Sequence, residues 1–195
     1  MKLICIYSTL LFLVCCKNPK KQVEESFTKE SKLINKEDNL KAGKSFFNFD
    51  SIEYYNIDIE ENLAMALSEL QDKSELDKLR YDIIIGEVPK SIRNPNFINN
   101  LIKIGFKKSE IKSEDFKNIS QLFSEKPERE GIYFACITIF RDILIFKKNK
   151  KVVGIAKICF DCNQNQIIGS ESNIDNFGQG DDYEKLNTIL LNYNR

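Results

Sequence analysis

The residues with chemical potential in this chain are its cysteines. The stretch Cys159-Phe160-Asp161-Cys162 has the spacing of a dithiol redox pair or of half a zinc site, and Cys136 lies upstream of it. Redox work needs a thiol at a helix N-terminus, where the dipole and free N–H groups favour the thiolate. Here the pair ends a run that reads as a strand and leads into Asn163-Gln164-Asn165-Gln166, with no helix start. Structural zinc needs four ligands. Three cysteines with Asp161 make a poor set, and the chain contains no histidine to complete it. No metal or other cofactor is expected. The missing histidine also removes the commonest general base and the Ser-His and Cys-His nucleophile pairs.

A structural cross-link accounts for the cysteines better. A hairpin turn centred on Asn149 leaves Cys136 and Cys162 each 13 residues away, on opposite arms and therefore facing each other. Such a bridge would constrain the unfolded chain by roughly 3 kcal/mol. Strand alternation would send Cys159 to the other face. The rival expectation is a thiol–disulfide redox protein using Cys159 and Cys162. Arg141-Asp142 is an adjacent charged pair inside an apolar run. It reads as an ion pair or bend at a sheet corner, with charges facing a ligand as the alternative. The acids Glu60-Glu61 and Asp181-Asp182 suit helix starts. The aromatic residues of FFNFDSIEYY read as core, and NFGQG lacks the Lys-Ser/Thr of a phosphate loop.

The compartment is written in the first residues. Lys2 is followed by an apolar run from Leu3 to Cys16, too short for a permanent membrane span and suited to a removed export signal. The run ends Leu13-Val14-Cys15-Cys16, which resembles the lipobox of bacterial lipoproteins, with Leu13 at −3 and Cys16 at the lipidated position. Cys15 stands where a smaller residue is usual. Acyl chains hold by about 0.8 kcal/mol per buried CH₂. Lipidation at Cys16 would leave Cys136, Cys159 and Cys162 in a compartment where disulfides persist. Three is odd, so one thiol stays unpaired within a monomer.

Three segments follow: signal peptide and lipobox over 1–16, a flexible charged tether over 17–45, and a single domain over 46–195. The tether is rich in Lys and Glu without a sustained apolar period. Lys17, Lys20 and Lys21 would lie beside the bilayer. Within the domain, SIEYYNI alternates as a strand, with Ile52 and Tyr54 on one face and Tyr55 and Ile57 on the other. Asp58 with Glu61 suggests a capping box for a helix with Leu63, Ala66, Leu67 and Leu70 inward. Ser74 should cap a second helix that stops near Gly86. Asn94 and Pro95 should open a third, closed by Gly105, with Phe97, Ile98, Leu101 and Ile102 buried. Ser113 should cap a fourth. From Gly131 the residues turn β-branched and aromatic: a strand into Arg141-Asp142, an apolar strand from Ile143 to Phe146, a Lys148–Lys150 turn, and a return strand from Val152 to Phe160. QIIGS suits a short edge strand, and the segment from Asp181 to Tyr193 a last amphipathic helix. The expected fold is α+β: a helical N-terminal half packed on one face of an antiparallel β-meander, with a C-terminal helix.

The segment CITIFRDILIFKKNKKVVGIAKICFDCNQNQIIGS resembles the C-terminal core of uncharacterised lipoproteins from Bacteroidetes, through a cysteine before an Arg-Asp strand, a Lys/Asn hairpin and ICFxC. No activity follows from the resemblance. In that group surface display looks to require acids after the lipidated cysteine. Here CKNPKK follows, which implies a periplasm-facing anchor. With 29 basic and 29 acidic residues, nothing draws the chain to nucleic acid. The expected protein is a membrane-anchored envelope lipoprotein, non-enzymatic, whose domain binds an envelope protein or small ligand, immunity or inhibitor proteins included.

Overall fold

The computed structural model describes residues 43–127 and 136–194, which belong to one compact unit. The signal, the lipobox and residues 17–42 of the tether lie outside the described residues. In chain order the elements are β1 (Ser51–Asn56), α1 (Glu61–Glu69), α2 (Glu75–Ile84), α3 (Phe97–Ile104) and β2 (Lys107–Glu110). A 3-10 turn, Ser113–Asp115, leads into α4 (Phe116–Leu122). Then come β3 (Asp142–Lys148), β4 (Lys151–Cys159), β5 (Gln164–Ile168) and α5 (Asp182–Leu190). The strands form one antiparallel sheet in the order β2-β1-β3-β4-β5. The fold is mixed α+β, with β3-β4-β5 as a meander.

Helices cover both faces of this sheet, which corrects the expectation of one covered face. On one side Ile52, Tyr54, Leu144 and Phe146 meet Ile119 and Phe123 from the α4 region and Leu186 and Leu190 of α5. On the other, Tyr55, Ile143, Ile145 and Ile155 meet Ala64 of α1, Ile83 and Ile84 of α2, and Leu101 and Ile104 of α3. The reason lies in β3 itself. Ile143, Leu144, Ile145 and Phe146 are consecutive and all buried. A strand without polar alternation has no face to give to water.

Local punctuation explains most element ends. Ser74 caps α2 by accepting the Asp77 N–H, and Gly105 closes α3 in the left-handed region at φ 106°. Three expected caps are absent, and Ser113, the first residue of the 3-10 turn, caps neither that turn nor α4. α1 begins after Glu60 with no side-chain cap bond. α3 begins two residues later than the Asn94-Pro95 signal implies, because Asn94 Oδ1 accepts from the Asn96 N–H in a local turn instead. The α1 stripe is also rotated. Ala64 and Leu67 are buried, whereas Leu63 and Leu70 are 59% and 43% exposed; on α3, Ile102 is 53% exposed and Ile104 buried. β2, all polar, has no apolar alternation to announce it and exists because β1 offers it an edge.

The β3–β4 hairpin turns on two residues, Asn149 (φ 49°) and Lys150 (φ 66°), so Lys148 pairs with Lys151. A bulge between Phe146 and Lys147 then shifts the register by one. Gly154, opposite Phe146, leaves room for the Phe47 ring, which stacks 4.5 Å from Phe146. Residues 136–141 are not strand, contrary to expectation, and the Gly131–Ala135 part of that predicted strand lies outside the described residues.

Candidate functional site

The cysteines and the Arg141-Asp142 pair gather at one end of the sheet, where β3 begins and β4 ends. Cys159 is the last residue of β4. Phe160–Asn163 form the turn to β5, with Asn163 at φ 49°. Cys162, within that turn, is joined to Cys136 as a disulfide, their Cα atoms 6.1 Å apart. The pairing agrees with the expected one, but the route to it differs. With the two-residue turn and the bulge, Asp142 pairs with Ile158, a register that would carry residue 136 past 162. The sulfurs meet because both segments have already left the sheet. Cys159 is a free thiol, buried with Cys162 and Phe140 in one small cluster, so the two cysteines are not sent to opposite faces. Neither stands at a helix N-terminus.

Arg141 and Asp142 point to opposite faces, and each is engaged within the fold. The Arg141 Nε–H donates to Ile59 O at 3.0 Å and Nη1 to Asp161 Oδ2 at 2.6 Å. The guanidinium thus ties the β1–α1 loop to the β4–β5 turn. Asp161 serves as its ion partner. Asp142 accepts from the Tyr54 hydroxyl, whose oxygen lies 2.6 Å from the side-chain amide of Asn194. Burial raises the Asp142 carboxyl to about 6, opposed by the Tyr54 bond and the charge of Arg141. Burial, with the neighbouring Asp142 charge, also raises the Tyr54 phenol.

The residue that sequence reasoning passed over is Lys157. It lies on β4 between Ile155 and Cys159 on the same face and is fully buried. Its Nζ donates to Gly86 O at 2.7 Å and Val88 O at 3.0 Å, and sits 4.2 Å from the centre of the Phe140 ring. Two β-strand neighbours thereby grip the segment after α2, since Gln166 Nε2 donates to Glu87 O at 2.7 Å. Burial pushes the Lys157 amine down to about 7, with Glu87 opposing. The signal was present: a lysine spaced by two from buried apolar residues, in a strand that turns polar only at its start. Tyr54 and Asn194 were missed because their partnership spans 140 residues of chain.

Of the helix-start acids, Asp182 is buried and bonded to Lys126, and Asp181 pairs with Lys185 at 2.9 Å. The aromatic residues Phe46, Phe47, Tyr54 and Tyr55 are core. Cys16 lies outside the described residues. Among those residues no group of three His, Cys, Asp or Glu side chains is arranged to hold a metal, and no helix is long and apolar enough to cross a membrane. Compared with known proteins, the chain matches no family model, no curated protein and no solved structure.

Proposed function

We propose that this protein is an exported lipoprotein, acylated at Cys16, whose disulfide-stapled α+β domain acts by binding in the cell envelope and not by catalysis. The Cys136–Cys162 bond carries this reading, because a cross-link of this kind belongs to an oxidising compartment. The apolar run ending Leu13-Val14-Cys15-Cys16 supplies the export signal and the anchor. The charged groups at the sheet end support a binding role over a reactive one, since Arg141, Asp142 and Lys157 are all spent on holding neighbouring segments. The partner is an envelope protein or a small ligand, and the anchor faces the periplasm.

Cell fractionation with labelled fatty acid tests the reading. The parent should carry label and sediment with membranes, and Cys16→Ser should lose the label. An unlabelled parent would overturn the reading, as would a Cys16→Ser chain labelled to the same extent.

A further inference from the structure

The opposite end of the sheet from the disulfide carries the strongest cationic feature of the described residues. The β3–β4 hairpin reads Lys147-Lys148-Asn149-Lys150-Lys151. Lys147 is spent, paired with Glu53 at 2.6 Å. The side chains of Lys148, Lys150 and Lys151 make no hydrogen bond or ion pair among the described residues, and cross-strand pairing sets Lys148 directly against Lys151. Like charges so placed repel, and the fold gains nothing from them. Asp50 accepts the Asn149 N–H at 2.8 Å and offsets one charge. Glu125, whose N–H donates to Lys44 O where the chain enters the domain, accepts the Asn173 N–H.

Beside the hairpin lies a shallow groove of about 430 Å³ lined by Ser45, Asn48, Phe49, Phe116 and Lys117. Phe49 and Phe116 are only partly buried, with rings 5.4 Å apart, and Phe49 also touches Phe146 just before the turn. Lysines around half-covered aromatic rings are the mixture that suits the boundary of an anionic bilayer.

The chain also enters the domain here. Ser45 lines the groove, pairs with Ser124 and accepts from the Ser172 hydroxyl at 3.2 Å, next to the segment leaving β5. Gly43 is 27 residues from Cys16, a separation that spans at most about 95 Å. That reach would confine the domain to the membrane region, and a second contact with the bilayer would give it an orientation.

We infer that the hairpin end, Lys148, Lys150, Lys151 and Lys117 around Phe49 and Phe116, docks on the anionic phospholipid surface and turns the disulfide end outward. This inference rests on the lipoprotein reading for its biological setting, but not for its test. The full chain carrying Cys16→Ser, so that no acyl group contributes, is partitioned onto phosphatidylcholine vesicles and onto equimolar phosphatidylglycerol–phosphatidylcholine vesicles. The ratio of the two partition coefficients cancels the common contribution of the N-terminal apolar run. Each lysine at an anionic surface is worth about five-fold. The variant Lys148→Gln/Lys150→Gln/Lys151→Gln should therefore lower the ratio on the order of 100-fold, and raised salt should lower the parent's. The same number of changes on the α2–α3 side, Lys78→Gln/Lys90→Gln/Lys103→Gln, should leave it within about two-fold. A parent without anionic preference overturns the inference, and so does an equal loss in both variants, which would report net charge alone. Lysine acetylation of the vesicle-bound parent needs no variant: Lys117, Lys148, Lys150 and Lys151 should be protected several-fold over Lys78 and Lys103, and uniform reactivity would sink the idea. An acidic protein partner in place of lipid would appear as no vesicle preference. Failure of acylation is read separately, from the Cys16→Ser fractionation.

Discussion

Replacing Lys157 with methionine separates two opposing effects at one atom. The buried Nζ satisfies the carbonyls of Gly86 and Val88, and removing it leaves both acceptors without a donor at about 1–3 kcal/mol each. Against this, burial depresses the amine from its ordinary 10.5 to about 7. The unfolded chain therefore binds the proton more tightly than the folded one. A base with a lowered folded-state pKa contributes stability that is fully present above about pH 10.5 and is lost as pH falls towards 7. The slope is about 1.4 kcal/mol per pH unit, or about 5 kcal/mol across the window. The variant has no such dependence. At about pH 10 Lys157→Met should be the less stable chain by about 2–4 kcal/mol. The gap should close as pH falls and reverse near pH 7, where a methionine of similar length fills the site without a charge. Urea unfolding of both chains across pH 6 to 10 gives the difference directly, and groups common to both cancel. Parallel stability curves would refute the reasoning. They would mean that the two carbonyls and the Phe140 face hold the ammonium as well as water does, so that burial has not moved its titration.

Reduction of Cys136–Cys162 should lower stability by about 3.5 kcal/mol for a 26-residue loop, read as a urea midpoint shift of the oxidised against the reduced chain. Mass spectrometry of unreduced digests should find these two cysteines linked and Cys159 alkylated only after unfolding. Asp142→Asn keeps an acceptor for Tyr54 and removes a half-buried carboxylate. Because the folded pKa is raised to about 6, that carboxyl contributes stability fully present below about pH 3.8 and lost as pH rises through 6. The variant should then exceed the parent by about 3 kcal/mol at about pH 8, with the gap gone below pH 4; a constant gap would count against the burial argument. Gly154→Ala should cost about 1–3 kcal/mol in thermal unfolding, because its methyl group would enter the Phe47 ring.

Much of the fold was legible where local chemistry and periodicity coincide. Ser74 announced α2, Gly105 ended α3, and the alternation of SIEYYNI gave both faces of β1. The β3–β4 hairpin was legible from its β-branched arms and Lys/Asn turn. What failed depends on partners remote in the chain. The α1 stripe was rotated because Ala64 and Leu67 suffice to seat the helix, leaving Leu63 and Leu70 outward. β2 has no apolar residue to mark it, and its pairing is a property of β1's open edge.

At the sheet end the sequence named the right cysteines but not the geometry that unites them. A register argument assumes strands that continue, whereas the chain leaves the sheet at residue 141 and turns at Phe160. Arg141 and Asp142 were identifiable as charges in an apolar run; that one grips Ile59 and Asp161 and the other Tyr54 could not be known from neighbours in sequence.

By itself, then, the sequence determined most of the helices, strands β1, β3 and β4, the Lys/Asn turn that makes the β3–β4 hairpin antiparallel, and the absence of histidine chemistry. Tertiary structure alone decided that both faces are covered, that a lysine amine is sealed beneath α2's C-terminal end, and that free lysines and half-buried aromatic rings share one end with the incoming chain. The division has a physical cause. Propensity, capping and alternation act over a few residues, whereas burial, ion pairing and titration depend on what packs against a side chain from elsewhere.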